Sequence, residues 1–278
     1  MKKTIGMIGL GLIGGSMAKA IKQNTGHTVY GLDKNPKTVN SALEQKTIDA
    51  FLSDQNLKDC DIIILALYPR DTMQYVKDNL LKMKKGAVII DSAGVKSRIC
   101  QELSGLAASN GLYFVGGHPM AGTEKSGYEH AHAHLFDGAT MIICCDEHTN
   151  IVAIKTAELL FKSMGFLNIT VTTAEEHDKI IAFTSQLAHI VSSAYIKSPT
   201  ALNQSGFSAG SYKDLTRVAS LNETMWTELF LENKEHLIAE IEGIIVRLAE
   251  YQEALKANDR KSLQYLLQKG REAKEKIG

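Results

Sequence analysis

Short apolar runs alternate with amphipathic segments along the first 172 residues of the chain. Segments with the length and composition of β-strands are Thr4–Gly9, Thr28–Asp33, Asp61–Leu67, Ala87–Asp91, Tyr113–Gly116, Thr140–Cys144 and Asn168–Thr172. Amphipathic segments lie between several of them and predict helices, for example Gly14–Gln23, Thr72–Met83 and Ile151–Met164. The third run is apolar from Ile62 to Leu67, which predicts a strand buried on both faces. This alternation predicts an α/β domain with a mostly parallel sheet and helices on both faces.

The β pattern stops after Thr172. Thr173 and Glu176 form a capping box that opens a helix running to about Lys197. A second helix is predicted from about Glu223 to Lys256, and its apolar stripe contains Leu237, Ile241, Ile244, Leu248, Tyr251 and Leu255. A last helix follows the break at Asn258–Asp259. We therefore predict an α/β domain over residues 1–172 and an all-α domain over 173–278, whose apolar stripes favour packing against a second copy of the chain.

Composition narrows the class of protein. The 278 residues are 44% hydrophobic and 22% charged, which excludes a disordered chain. Lys+Arg and Asp+Glu both number 31, so no net charge favours binding to nucleic acid or to an anionic membrane. No run approaches the roughly 20 apolar residues of a membrane span. The four cysteines include no C-x-x-C pair, so we expect reduced thiols in a cytoplasmic protein.

The glycine-rich start of the chain predicts a dinucleotide site. Two lysines and an A-x-A triplet near the N-terminus imitate a secretory signal, but five glycines in that stretch oppose the helix a signal requires. The segment Gly9–Gly14 reads G-x-G-x-x-G between a predicted strand and helix, and Asp33 follows about 20 residues later. A carboxylate there would bind a ribose hydroxyl and repel a 2′-phosphate, which favours NAD over NADP. Candidate cofactor contacts are Gly9, Gly11, Leu12, Ile13, Gly14, Asp33, Ala66 and Asp91.

Two further loops follow predicted strands, at the edge where ligands bind in open α/β sheets. Residues 91–96 form a polar turn, which by itself is equally consistent with a solvated strand-to-helix connection. Residues 116–127 are rich in small residues and contain His118. Histidine is the side chain best suited to general acid–base chemistry near neutral pH. We therefore interpret His118 as a candidate catalytic residue.

The predicted helices contain a second group of polar residues. Asp178, Ser185 and His189 are spaced to lie near one another on one helix face. Arg217 has the planar guanidinium that suits bidentate carboxylate binding, although the sequence context by itself favours a surface ion pair with Asp214 or Glu223. Three alternating histidines at 130, 132 and 134 lack a nearby cysteine, so no metal site is expected.

Together these motifs are similar to those of the prephenate dehydrogenase family, which includes arogenate and cyclohexadienyl dehydrogenases. The most specific segment is HPMAGTEKSG at 118–127. His177–Asp178 with Ser185 and His189 resembles the family's H-D-x-x-x-A-x-x-S-H-L-P-H, and GSYKDLTRVA at 210–219 with Trp226 resembles G-x-x-x-D-x-T-R-x-A…W. The resemblance covers nearly the whole chain and implies an N-terminal Rossmann-type domain followed by a helical dimerisation domain.

The resemblance also implies an activity and a set of residue roles. The activity is NAD-dependent oxidative decarboxylation of prephenate to 4-hydroxyphenylpyruvate in tyrosine biosynthesis, by a homodimer. His118 matches the catalytic histidine that bonds the substrate ring hydroxyl, and Arg217 matches the arginine that binds a substrate carboxylate. Trp226 matches a tryptophan that reaches toward the neighbouring subunit's site. Further positions matching substrate-binding residues are His189, Thr123, Glu124 and Lys213.

The chain departs from the family pattern at three positions. Gly94 stands where the family motif D-x-x-S-x-K has a serine, and Gln186 and Ala188 replace the histidine and proline of S-H-L-P-H. An arogenate dehydrogenase, or a cyclohexadienyl dehydrogenase that acts on both substrates, is therefore an alternative. More distant alternatives are a reductase of hydroxy or imino acids with the same two-domain plan, and a non-catalytic dinucleotide sensor.

Overall fold

A computed structural model of the chain describes residues 2–123 and 125–278. Eight strands form one sheet in the order β3-β2-β1-β4-β5-β6-β7-β8. Their bounds are β1 Thr4–Ile8, β2 Thr28–Leu32, β3 Ala50–Phe51, β4 Ile62–Leu65, β5 Val88–Asp91, β6 Tyr113–Met120, β7 Thr140–Cys144 and β8 Asn168–Thr172. All neighbouring pairs are parallel except β6 with β7. The fold class predicted from the sequence, a mostly parallel sheet followed by helices, is confirmed.

The helices divide between the sheet and the C-terminal part. Those of the sheet half are α1 Leu12–Asn24, α2 Pro36–Glu44, α3 Pro69–Asn79, α4 Ser97–Ser109 and α5 Ile151–Ser163. Those of the helical half are α6 Ala174–Ile181, α7 Ala188–Ile196, α8 Gly210–Thr216, α9 Glu223–Glu232, α10 Lys234–Lys256 and α11 Arg260–Ile277. We use "sheet half" for the described residues up to Thr172 and "helical half" for those from Ala174 onward. None of the described helices has the length and apolarity that a membrane crossing demands.

The central strand β4 shows why the sheet has two cores. Ile62 and Ile64 belong to one buried cluster, whereas Ile63 and Leu65 belong to the other. Successive strand side chains point to opposite faces, so an unbroken apolar run is what a sheet covered on both faces requires. The predicted burial of this strand on both faces is confirmed.

Three features differ from the sequence-based expectations. β3 has only two residues, too few to leave an alternating pattern. The helix predicted over 223–256 breaks at Asn233, which separates α9 from α10. The helix predicted over 173–197 contains a π-helical turn at Ala182–Leu187 between α6 and α7. None of these interruptions is marked by proline, the strongest local signal for a break.

Candidate functional site

The loop Gly9–Gly14 joins β1 to α1 beneath the end of β4. Gly9 has a φ of 87°, and a Cβ there would lie 2.3 Å from the carbonyl oxygen of Ala66. A Cβ at Gly14 would lie 1.9 Å from the Gly9 carbonyl oxygen. By contrast, a Cβ at Gly11 would meet nothing within 4 Å, and no side chain caps α1, which begins at the next residue. The loop therefore presents free helix N–H groups to an open space, an arrangement suited to a pyrophosphate.

Asp33 follows β2 and lies beside this loop. Its Oδ2 accepts a hydrogen bond from the Leu10 amide at 2.8 Å, and its Oδ1 accepts one from the Asn35 amide at 2.8 Å. Both oxygens are thus fixed by backbone donors, and each keeps a second lone pair. Ala66 lies directly after β4, with its amide bonded to the Ile8 carbonyl oxygen at 2.8 Å. The predicted cofactor contacts at these positions are therefore gathered at the carboxyl ends of β1, β2 and β4.

Asp91 differs from the other predicted cofactor contacts because its side chain is fully enclosed. It forms an ion pair with Lys96, and neither side chain is exposed. The Ala93 amide donates to Asp91 Oδ1 at 2.9 Å, and the Gly117 amide approaches Oδ2 at 3.4 Å. Burial raises the pKa of the Asp91 carboxyl, against the opposing effect of the Lys96 ammonium. These contacts make Asp91 a support of the turn between β5 and α4.

His118 lies on β6 and is joined to the helical half by hydrogen bonds. Its Nδ1 lies 2.8 Å from Nε2 of His177, and Nδ1 of His177 lies 2.7 Å from Oδ1 of Asp178. The Asp178 carboxylate also accepts the amides of Lys96 at 2.8 Å and Ser97 at 2.7 Å, which are the first free N–H groups of α4. Burial would raise the pKa of Asp178, but its bonds from His177 and Ser97 lower it below its usual value.

The Nε2 edge of the His118 ring lies near Gly94 and Leu229 of α9. A Cβ at Gly94 would lie 3.8 Å from His118 Nε2 and 3.4 Å from Cδ2 of Leu229. Nε2 has no hydrogen-bond partner among the described residues. Burial lowers the pKa of His118 well below its usual value; His177 and Lys96 lower it further, and the Asp178 carboxylate opposes them. His118 therefore has a lowered pKa and one ring nitrogen without a hydrogen-bond partner among the described residues.

His189, Trp226 and Arg217 form a second group on the helical half. The rings of His189 and Trp226 are 3.9 Å apart between centroids, and His189 Nδ1 lies 3.1 Å from the Val218 carbonyl oxygen. Burial lowers the pKa of His189, the Val218 bond opposes this, and the charge of Arg217 adds to the lowering. Trp226 lies one helical turn before Leu229 on α9, so the two groups are connected through that helix.

The remaining predicted substrate-binding residues that the structure describes lie at exposed positions. Lys213 and Arg217 are exposed at the C-terminal part of α8. Thr123 is exposed, and its hydroxyl lies 3.3 Å from both the amide and the carbonyl oxygen of Lys125. Glu124 lies outside the described residues. Asp178 and His189, expected on one helix face, contact different elements: Asp178 bonds α4, and His189 bonds Val218.

Sequence reasoning missed two supporting residues. Asn233 is buried at the break between α9 and α10, and its Nδ2 donates to the Asp178 carbonyl oxygen and to Gln186 Oε1, both at 2.8 Å. Gln186 in turn donates to the Leu229 carbonyl oxygen at 3.1 Å. The only available signal was a polar residue within an otherwise regular helical pattern. These bonds hold α9 against the segment that carries His177.

The alternating histidines do not share a strand face. His130 ends a short 3₁₀ turn, and His134 Nδ1 lies 2.9 Å from Asp137 Oδ2. Within residues 2–123 and 125–278, no cluster of three or more His, Cys, Asp or Glu side chains is arranged to hold a metal ion.

Comparison with known proteins agrees with this architecture. Residues 17–169 match the family model "Prephenate dehydrogenase, nucleotide-binding domain", and residues 173–269 match "Prephenate dehydrogenase, dimerization domain". Prephenate dehydrogenase of Bacillus subtilis is 30% identical over 248 residues, which span 86% of this chain and 66% of that protein. The chain therefore matches slightly less than two thirds of that relative's length.

Two solved structures resemble the whole chain. Prephenate dehydrogenase from Aquifex aeolicus, in complex with hydroxyphenyl propionate and NAD+, has a TM-score of 0.88 and 26% identity over 100% of this chain and 99% of that chain. Arogenate dehydrogenase from Synechocystis has a TM-score of 0.81 and 25% identity, covering 99% and 100% of the two chains. Because the two family models together match most of its length, the chain belongs to the prephenate dehydrogenase family of oxidoreductases.

Proposed function

We propose that this protein is a NAD-dependent prephenate dehydrogenase that converts prephenate to 4-hydroxyphenylpyruvate with loss of CO2. The observation that carries the proposal is the position of His118, whose Nε2 lies beside Gly94 without a hydrogen-bond partner among the described residues, while its Nδ1 is held by His177. The Aquifex aeolicus structure, which is similar over the whole chain, contains NAD+ and a hydroxyphenyl compound. The fit of the glycine loop to a dinucleotide supports the same assignment.

The residues that would hold NAD are those of Gly9–Gly14, with Asp33 and Ala66. The uncapped N-terminus of α1 supplies N–H donors and a positive dipole for the pyrophosphate. The space at Gly11 allows close approach to the backbone. The anchored Asp33 carboxylate offers its remaining lone pairs to a ribose hydroxyl and disfavours a 2′-phosphate. When bound, NAD supplies the hydride acceptor.

His118 is the proposed general base. As the ring carbon that carries the hydroxyl loses its hydride, that carbon becomes a carbonyl, and the hydroxyl proton must go to an acceptor. The Nε2 lone pair of His118 is positioned to take it. Release of the ring carboxylate as CO2 leaves its bonding electrons in the ring, and the ring oxygen takes the proton back from His118 to give the phenol. Aromatisation favours this step, so the protein chiefly holds the reacting groups in position.

Arg217 and His189 are the proposed substrate anchors. The guanidinium provides the planar pair of donors that matches a carboxylate. His189 is neutral because burial lowers its pKa, so it acts as a hydrogen-bond partner and not as a cation. Thr123, Glu124, Lys213 and Trp226 are proposed to complete the pocket. We also propose that the chain forms a homodimer, as the family description of residues 173–269 implies.

Arogenate is the alternative substrate, favoured by the likeness to the Synechocystis arogenate dehydrogenase. It carries an ammonium group where prephenate has a keto group. The reaction at the ring is the same for both, so His118 and the dinucleotide site serve either substrate. The proposal for prephenate rests on the greater similarity to the Bacillus subtilis and Aquifex aeolicus enzymes.

The deciding experiment is a matched assay of the purified protein. Reduced cofactor is followed with prephenate and with arogenate, each with NAD and with NADP. We expect turnover of prephenate with NAD. Turnover of arogenate alone would transfer the proposal to that substrate, and NAD binding without turnover of either would support a sensor.

Two variants test the residue roles. His118→Asn is expected to lower kcat by at least about 10²-fold with little change in NAD affinity, because it removes the proton acceptor. Arg217→Ala is expected chiefly to raise KM for the substrate. Equal losses of turnover and NAD affinity in His118→Asn would contradict its role as base, and an unchanged KM in Arg217→Ala would contradict its role as anchor.

A further inference from the structure

Two buried side chains and the half-buried His118 form a continuous hydrogen-bonded series from the helical half to β6. Asp178, His177 and His118 are linked by contacts of 2.7 Å and 2.8 Å. The side chain of His177 is fully enclosed, and that of Asp178 is 1% exposed. His177 contacts the Nδ1 side of His118 and Asp178 lies beyond His177, so neither is placed to touch a substrate bound at Nε2. Their contacts instead determine where the protons of His118 lie.

The positions of the protons in this series follow from the chemistry of Asp178, the residue at its end. Asp178 is a carboxylate, because its bonds to His177 and Ser97 lower its pKa, and a carboxylate only accepts hydrogen bonds. Nδ1 of His177 must therefore carry a hydrogen. In the neutral ring, Nε2 of His177 is an acceptor, and Nδ1 of His118 must donate to it.

We propose that His177 and Asp178 are positioning residues that hold His118 in the Nδ1–H tautomer, which leaves the lone pair on Nε2 for the substrate hydroxyl. This inference deepens the proposed function, because it assigns to the family's paired His–Asp positions a specific effect on the base. Without the series, the neutral ring would exchange between two tautomers, one of which presents a donor where the reaction requires an acceptor.

Asp178 is itself fixed by the opposite half of the molecule. Its Oδ2 accepts the Ser97 amide and its Oδ1 accepts the Lys96 amide, so the N-terminus of α4 holds the carboxylate in position. The positive end of the helix dipole also favours the ionised form. The other charged groups around this series are Lys96 and its partner Asp91. Docking of the two halves thus completes the series.

The substitutions His177→Gln and His177→Phe separate this role from a purely structural one. A glutamine side chain can place its Oε1 near the position of the histidine Nε2, so it can still accept the proton of His118 Nδ1. Phenylalanine fills the same buried space but offers no acceptor. We expect kcat of His177→Phe to fall about 10²-fold with KM changed less than about threefold, the low end of what a general base contributes. His177→Gln should stay within about tenfold of the wild-type kcat.

Imidazole ¹⁵N NMR of the full chain labelled with ¹⁵N-histidine measures the tautomer directly. His118→Asn identifies the resonances of His118, and His134→Gln is the control because its exposed ring contacts Asp137 away from this series. At neutral pH we expect a protonated Nδ1 and an unprotonated Nε2 for His118 in the wild type and in His177→Gln. In His177→Phe we expect a mixture of both forms.

The inference and the proposed function fail in different ways. A protonated Nε2 on His118 in the wild type would overturn the inference, as would equal loss of kcat in the two His177 variants. Absence of turnover with both prephenate and arogenate, together with the expected tautomer, would overturn the proposed function and leave the inference standing.

Discussion

Gly11 and Gly14 have different physical reasons for being glycine. At Gly14 a methyl group would collide with the backbone of Gly9, whereas at Gly11 it would meet no atom of the described residues within 4 Å. The loop itself requires glycine at position 14. Glycine at position 11 is required only if a ligand approaches the backbone there.

Gly11→Ala therefore separates folding from cofactor binding. We expect its free energy of unfolding to stay within about 1 kcal/mol of wild type, the scale of a helix-cap change, while NAD affinity falls at least about tenfold. Gly14→Ala should lose both. Thermal unfolding and NAD titration measure the two effects, and unchanged NAD affinity in Gly11→Ala would place the pyrophosphate elsewhere.

Gly94→Ser would restore the hydroxyl that the family motif carries. A Cβ at this position makes only ordinary contacts, the nearest at 3.4 Å from Leu229. We expect the variant to fold with an unfolding free energy within about 1 kcal/mol of wild type, the usual range for a substitution without a clash. Because its Oγ can reach His118 Nε2, kcat should not fall below the wild-type value. A loss of more than tenfold in the assay of reduced cofactor would show that the absence of a side chain at Gly94 is itself needed.

The pH profile reports on His118. A general base acts in its neutral form, and burial holds the pKa of His118 well below its usual value of about 6.5. As the pH falls from 8, kcat/KM should therefore stay constant through about 6.5 and decline only below it. Half-loss at the usual histidine pKa would contradict a buried base and would indicate a solvated ring.

Single-residue chemistry was the part most accessible from sequence. His118 was predicted because it lies in a loop of small residues after a strand, a local pattern. The partnership of His118 with His177 was not predictable, because it joins positions 59 apart on different halves. The sequence predicts Asp91 as a cofactor contact because it is a polar residue at the end of a strand. Only the structure shows that its side chain is buried in an ion pair with Lys96.

Among the elements, α9 is the one that closes the site. Its Glu228 accepts the Arg70 amide at 2.8 Å near the start of α3, and its Glu232 binds Arg98 at 2.9 Å. Leu229 on the same helix covers Gly94. The sequence analysis missed the break at Asn233 between α9 and α10, because a polar residue in a helical pattern usually marks a solvated face.

Asn233→Ala tests the polar contacts at this break. The substitution removes two buried hydrogen bonds and leaves the Gln186 amide oxygen and a backbone carbonyl with fewer partners. We expect a loss of about 1–3 kcal/mol in unfolding free energy. Asn222→Ala, which removes only the N-cap of α9, is the control and should cost about 1 kcal/mol. Denaturant unfolding compares them, and equal stability of Asn233→Ala and wild type would contradict the contacts.

For the whole molecule, the helical half leaves many apolar side chains exposed. Ile245, Leu248, Leu255 and Leu267 on α10 and α11 are each 58–64% exposed. A surface of this kind favours association. The apolar stripe predicted from the sequence contains both buried Leu237 and exposed Leu248 and Leu255. The sequence could not distinguish them, because which side chains face the core depends on how the helices pack.

Replacing Leu248 and Leu255 together by lysine should therefore convert the proposed dimer to a single chain. Burying two lysines in an apolar interface opposes association by several kcal/mol. Light scattering after size exclusion measures the mass. Leu81→Lys, at an 84% exposed position in the sheet half, is the control and should remain dimeric. Dimers of the double variant would place the interface on another surface.

The cap that Asp178 supplies to α4 also bears on how the chain folds during synthesis. Asp178 lies 81 residues after Ser97, beyond the last strand of the sheet. When every strand of the sheet has been synthesised, the N-terminus of α4 still lacks this acceptor. We infer that the sheet half reaches its final stability only after the first helix of the next half has emerged. A fragment ending at Thr172 contains every strand of the sheet. It should nevertheless be less stable and more prone to aggregate than the sheet half within the full chain.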